Sequence, residues 1–128
     1  MRALLLVGGG GLLGSVARYL VFRAMLVVAP EGSALRAFPL GTLVVNIAGC
    51  FAIGALLAAS ERGTGWSESA RLFLLTGVLG GFTTFSAFGL ETFALAREGR
   101  PLVAAANVVL QVVCGLVAVW VGFRSLSQ

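Results

Sequence analysis

Residues 77 to 88, Gly-Val-Leu-Gly-Gly-Phe-Thr-Thr-Phe-Ser-Ala-Phe, set Gly80 and Gly81, the hydroxyls of Thr83, Thr84 and Ser86, and three phenylalanine rings inside a membrane-length apolar stretch. Two kinds of chemistry follow from these residue types. A helix weakened at the glycine pair releases carbonyl oxygens, which are hard, neutral ligands suited to an alkali cation where no carboxylate is at hand. One chain offers too few of them, but a twofold axis through the break would double the number around one point. Close helix packing explains the same glycines and is the preferred reading of these residues by themselves.

The second chemistry is that of a small anion. Phe85 and Phe88 are three residues apart and share one helical face, with Thr83, Thr84 and Ser86 around them as rotatable hydroxyl donors. The edge of a phenyl ring is the positive end of its quadrupole, so ring edges can line an anion route without a fixed charge that would trap the ion. Asn46 adds an amide donor from the preceding apolar stretch, and Arg18 raises the local anion concentration near one end. Each residue also has a plain alternative: membrane phenylalanines face lipid or core, and an arginine snorkels to the headgroups.

The elements that must position these residues are membrane helices. Of 128 residues, 59% are hydrophobic and 11% charged, a balance that excludes an ordinary soluble domain. Four apolar stretches, Leu4 to Val28, Leu40 to Ala59, Leu72 to Leu95 and Leu102 to Phe123, each come close to the roughly 20 residues a spanning helix needs. The first carries Arg18 and Arg23 and lacks a small-residue cleavage site after a short apolar core, so it reads as a retained helix rather than a signal peptide. One four-helix membrane domain over residues 1–128 is expected.

All nine basic residues are Arg, all five acids are Glu, and His, Lys and Asp are missing. The usual side-chain metal ligands and acid–base groups are thereby removed, and the serines and threonines have no His or Asp to activate them, so no enzyme is expected. Cys50 and Cys114 fall in mid-span and read as small apolar residues. The arginines are scattered over loops and helix ends, which argues for membrane-edge charges and against a nucleic-acid partner.

With four spans, Arg2, Arg62, Arg71 and Arg124 lie on one side and Arg23, Arg36, Arg97 and Arg100 on the other. Orientation normally follows an excess of Lys and Arg on the cytoplasmic side. A tie leaves two readings: insertion both ways, with an antiparallel dimer, or a single orientation set by finer detail. Small or polar stripes, Gly8, Gly11, Ser15 and Arg18 on the first helix, Thr42, Asn46 and Gly49 on the second, Asn107, Gln111 and Gly115 on the fourth, mark faces for close packing or a polar route.

The strings Gly80-Gly-Phe-Thr-Thr-Phe-Ser-Ala-Phe88 and Phe38-Pro-Leu-Gly-Thr-Leu-Val-Val-Asn-Ile-Ala-Gly49, with the glycine-rich run before Arg18-Tyr19, resemble the CrcB/Fluc fluoride channels over essentially the whole chain. The resemblance implies an all-α integral membrane fold of four transmembrane helices with a broken third helix, assembled as a dual-topology antiparallel homodimer. It implies passive fluoride export across a bacterial plasma or inner membrane, and hence fluoride resistance. Carried over by position, Asn46 matches the pore asparagine and Phe85 and Phe88 the pore phenylalanines; Thr84 and Ser86 join the polar track, and Arg18 matches the first-helix arginine. The backbone carbonyls of Gly80 and Thr83 from both chains would hold a structural sodium ion. Ala87 departs from the pattern, since many members carry Thr there.

Two other functions fit the composition. A small proton-coupled multidrug exporter also has four short helices, but it needs a membrane carboxylate, and Glu91 is the only acid well inside a span. A structural membrane subunit accounts for the glycines but makes no use of Asn46, Phe85 and Phe88 together.

Overall fold

The computed structural model describes residues 1–29, 31–33, 36–63 and 65–127, which are helical with no strand among them. Helix α1 covers Arg2–Val28 and α2 covers Leu40–Glu61. The third span, Glu68–Arg97, is built from four pieces: α3 (Glu68–Arg71), a π-helical segment (Leu72–Leu79), α4 (Gly80–Phe82) and α5 (Phe85–Arg97). Helix α6 covers Pro101–Leu126. Among the described residues four helical stretches are thus long and apolar enough to cross a membrane, and each extends its expected core by a few residues at one or both ends.

The turn between α5 and α6 shows why chain direction reverses where it does. Gly99 takes φ +73°, a left-handed conformation that glycine adopts without a Cβ clash. Gly99 N–H donates to the Ala96 carbonyl and Arg100 N–H to the Leu95 carbonyl, which closes α5 in a Schellman motif. Pro101 then opens α6 at its first turn, where the missing N–H costs no helical bond. Between α1 and α2, Arg36 Nη1 donates to the carbonyls of Leu26 (3.0 Å) and Ala29 (3.1 Å), satisfying the exposed end of α1.

The helices pack through small residues. A Cβ on Gly54 would meet the Val119 carbonyl, and one on Gly122 would meet the Phe51 carbonyl, so α2 and α6 approach backbone to backbone. In the same way Gly10 lies against Phe73 and Gly77, and Gly14 against Val78, joining α1 to the third span. Lipid tails are as apolar as leucine, so such contact and not hydrophobic burial holds membrane helices together. The most enclosed side chains are accordingly modest or polar: Val45, Thr42, Ala58 and Asn107. Leu12, Leu20, Val109, Leu116 and Trp120 stay exposed, as lipid-facing residues should.

Two sequence expectations shift here. The packed stripe of α1 is Gly10 and Gly14; Gly8 has open space where its side chain would be, because the neighbouring span lies on the other face. Gly80 and Gly81 are helical, Gly80 at φ −62° and ψ −37°, and do not mark a break. Gly81 instead lets the Gly11 backbone approach. The residues with extended backbone are Thr83 (φ −83°, ψ 160°) and Thr84 (φ −152°, ψ 110°).

Candidate functional site

Extended residues inside a spanning segment release backbone groups that lipid cannot satisfy. All four such groups of Thr83 and Thr84 have partners. Thr83 N–H still closes the last turn of α4 on the Leu79 carbonyl (3.0 Å), and its hydroxyl donates to the same oxygen (3.0 Å). The Thr83 carbonyl accepts from Arg18 Nη1 at 3.2 Å, a contact across 65 residues of sequence. Thr84 N–H donates to Asn46 Oδ1 (2.9 Å), and the Thr84 carbonyl accepts from Asn46 Nδ2 (3.2 Å).

Thr84 also begins α5. Its hydroxyl oxygen accepts from Ala87 N–H (3.2 Å), the N-cap arrangement that threonine favours, and lies 3.3 Å from Ser86 Oγ. With a serine or threonine hydroxyl taking a helix-start N–H and an asparagine taking the flanking amide, the helix restarts where the sequence supplies its cap. The hydroxyl missing at Ala87 leaves this cap intact, because the contact uses the Ala87 backbone.

A cavity of about 480 Å³ opens beside this segment, lined by Asn46, Gly49, Gly80, Thr83, Thr84, Phe85, Phe88 and Gln111 together with aliphatic residues of α2, the third span and α6. Among the described residues no charged side chain lines it. Phe85 and Phe88 stand at its wall with ring centroids 5.4 Å apart and planes inclined at 57°. Phe85 is 82% exposed, so beyond its contact with Phe88 its ring is committed to little packing within the chain. Asn46, Thr84, Phe85 and Phe88 therefore come together at one cavity, with Ser86 touching Thr84 and Arg18 half-buried on the Thr83 carbonyl.

Gln111 is the residue that the sequence-level site left out. It appeared only as one member of the polar stripe on the last helix, yet its Oε1 accepts from Asn46 Nδ2 at 3.1 Å. Asn46 thus bridges the extended Thr84 and α6. Below the cavity, Asn107 Nδ2 donates to Thr92 Oγ1 (2.9 Å) and that hydroxyl donates to the Phe88 carbonyl (2.7 Å). Glu91 accepts from Thr42 Oγ1 at 2.8 Å and stands outside the lining of this cavity.

The carbonyls of Gly80 and Thr83 suit a monovalent cation in their chemistry. In an unbroken helix Thr84 N–H would serve the Gly80 carbonyl; here it goes to Asn46, which frees that oxygen. The Thr83 carbonyl keeps a second lone pair beside its bond to Arg18. Among the described residues there is no group of three or more His, Cys, Asp or Glu side chains placed to hold a metal.

This arrangement agrees with what the chain is similar to. Residues 5–123 match the family described as CrcB-like protein, Camphor Resistance (CrcB). The chain belongs to the CrcB-like family. Its relatives in the family include the "Fluoride-specific ion channel FluC" of Methylobacillus flagellatus, 45% identical over the whole of this chain and 97% of that protein. The protein of the same name from Rhizobium meliloti is 48% identical over 95% of this chain and 94% of its own length. That from Geobacter sulfurreducens is 42% identical over the whole of this chain and 99% of its own. With four helical stretches long and apolar enough to cross a bilayer, the chain is a multi-pass membrane protein, and these relatives are bacterial.

Proposed function

We propose that this chain forms a fluoride-selective channel that lets fluoride leave the cytoplasm passively across a bacterial plasma or inner membrane, lowering its toxicity. The observation that carries the reading is the cavity itself: Phe85 and Phe88 line it together with Thr83, Thr84, Asn46 and Gln111 in an otherwise apolar wall, and among the described residues no carboxylate lines it to repel an anion. The relatives' names and their near full-length coverage point the same way. No bond is made or broken in this transport, so the role is not enzymatic.

The physical mechanism follows from the wall. A dehydrating anion needs donors, which Thr84, Ser86 and the amides supply, and the electropositive ring edges of Phe85 and Phe88 replace part of its hydration shell. Neutral groups bind weakly enough to release the ion, which conduction requires. Arg18, at the margin, attracts anions without entering the lining.

The assembly belonging to this reading is a dual-topology antiparallel homodimer. Its supports are the even division of arginines between the two membrane sides and the exposed Phe85 ring, which a second chain would enclose. The third helix is then broken at Thr83 and Thr84, beside the twofold axis. There the carbonyls of Gly80 and Thr83 from both copies would hold a structural sodium ion, whose charge would tie the two inverted chains together. A proton-coupled cation exporter is disfavoured because Glu91 is hydrogen-bonded to Thr42 and stands apart from the cavity.

The test is fluoride efflux from proteoliposomes, with chloride efflux and protein-free liposomes as controls and a potassium ionophore to dissipate charge. Fast fluoride release with little chloride release is the expected result. No fluoride release from a verified, folded reconstitution would overturn the channel reading.

A further inference from the structure

Helices α2 and α6 carry a second cavity, a furrow of about 630 Å³ on which the channel reading makes no demand. Its nine lining residues are all Val, Ile, Ala, Phe or Cys, four from α2 and five from α6. Short side chains at Ala48 and Ala118 leave it open between Phe51 on one helix and Val113, Val117 and Val121 on the other. Ala48 is two residues, or about 200°, around α2 from Asn46, and Val113 is two residues around α6 from Gln111. The furrow therefore lies on the far side of the helix pair from the cavity beside Thr84, where a spanning chain meets acyl chains and not water.

Arg124 stands at one end of this furrow. Val113, Val117, Val121 and Arg124 follow one another on α6 at steps of four, four and three, so one stripe of the helix leads from apolar wall to guanidinium. With 26 residues α6 is about 39 Å long against about 30 Å of hydrocarbon, which sets Arg124, two residues before its end, at headgroup level. The guanidinium carbon lies 5.2 Å from the centroid of the Trp120 ring beneath it. Stacking uses the face of the guanidinium and leaves its N–H edges free for an oxyanion. Arg124 is exposed, and among the described residues no carboxylate pairs with it.

We propose that the furrow and Arg124 form a binding site for one anionic phospholipid, with an acyl chain lying along Val113, Val117 and Val121 and the phosphate held by Arg124. The charges fit: a guanidinium fork donates two parallel N–H bonds to phosphate oxygens. A phospholipid with an amine headgroup brings its own ammonium toward the arginine, so the site favours a lipid of net negative charge. The proposal rests on the membrane spans and is independent of what the protein conducts.

The test uses Trp120 as its reporter. The chain has two tryptophans, so Trp66→Phe leaves Trp120 as the only one. This protein is reconstituted in mixtures of phosphatidylglycerol and phosphatidylethanolamine with brominated chains on one lipid or the other, and quenching of Trp120 reads which lipid lies beside it. Phosphatidylglycerol is expected to bind about fivefold more strongly, the contribution of one arginine at an anionic surface. In the same background Arg124→Gln should bring the preference close to one. Ala48→Phe, which fills the furrow from an exposed position without changing charge, should lower it at least about twofold. Equal binding of the two lipids by the Trp66→Phe protein overturns the proposal whether or not the other variants fold. A preference that survives Arg124→Gln in folded protein overturns it by assigning the headgroup to another residue, and one that ignores Ala48→Phe by placing the chain outside the furrow. If neither brominated lipid quenches Trp120, protein covers this face and the lipid site is refuted.

Discussion

The amide of Asn46 pairs with the backbone of Thr84 as a neighbouring strand would, accepting its N–H at 2.9 Å and donating to its carbonyl at 3.2 Å. This one side chain satisfies both peptide groups of Thr84 where a spanning segment leaves helical geometry at mid-course, so that neither is bare in lipid. It also anchors α2 to the third span at the point where the aromatic wall begins.

Replacing Asn46 by Asp should be among the most damaging changes in the chain. Oδ1 can still accept from Thr84 N–H, but the other carboxylate oxygen would face the Thr84 carbonyl and Gln111 Oε1, both acceptors. Leaving buried acceptors unpaired costs about 1–3 kcal/mol per group, and more for a charged one. Fluoride efflux is expected to be lost, and thermal unfolding in detergent should shift down. Efflux at the wild-type rate from a folded Asn46→Asp protein would show that the pairing is dispensable.

Phe85→Ile should separate conduction from stability. The ring is 82% exposed in the single chain, so its loss removes little packing there beyond the contact with Phe88 and is expected to alter unfolding of the separate chain by no more than about 0.5 kcal/mol. What it removes is an electropositive ring edge at the cavity wall, 5.4 Å from its neighbour Phe88. Fluoride efflux should therefore fall, by up to about tenfold for a contact at the upper end of aromatic strengths, about 1.5 kcal/mol. Equal efflux in both proteins would remove Phe85 from the route.

If the Gly80 and Thr83 carbonyls hold sodium between two copies, removing sodium should act as the loss of a stabilising ligand. At a sodium concentration 100 times its dissociation constant, such a ligand contributes about 2.7 kcal/mol. Exchange into N-methyl-D-glucamine should lower the thermal midpoint and shift the oligomer toward single chains in size-exclusion chromatography. A midpoint indifferent to sodium over a wide concentration range would leave those carbonyls without that role.

The four spans were legible in the sequence because their signal is local: a window of apolar residues long enough to cross a bilayer needs no knowledge of its neighbours. Asn46, Phe85 and Phe88 were legible as polar and aromatic residues out of place in such windows, and the structure brings them to one cavity. What escaped was tertiary. The glycine pair drew attention to positions 80 and 81, whereas the extended residues are Thr83 and Thr84, and their geometry depends on an amide 38 residues away. Gln111 was visible as a polar residue, but its bond to Asn46 spans 65 residues and leaves no periodic trace. Gly8 and Gly14 likewise look alike in sequence, and only the Val78 backbone tells them apart.

The chain from Asn107 through Thr92 to the Phe88 carbonyl makes a prediction that runs against simple contact counting. Asn107 is fully enclosed, its Nδ2 donates to Thr92 Oγ1, and its Oδ1 has no partner in the chain. Thr92→Val alone would leave both ends of that amide buried without partners and should destabilise by about 1–3 kcal/mol. Adding Asn107→Leu removes the stranded amide, and replacing both members of a polar pair by apolar groups of similar shape is close to neutral. The double variant should therefore unfold at a higher temperature than Thr92→Val, although it carries one more substitution. Strictly additive losses in a double-mutant cycle would mean that the two side chains are not coupled, and that the rotation of α5 bearing Phe88 is set by packing alone.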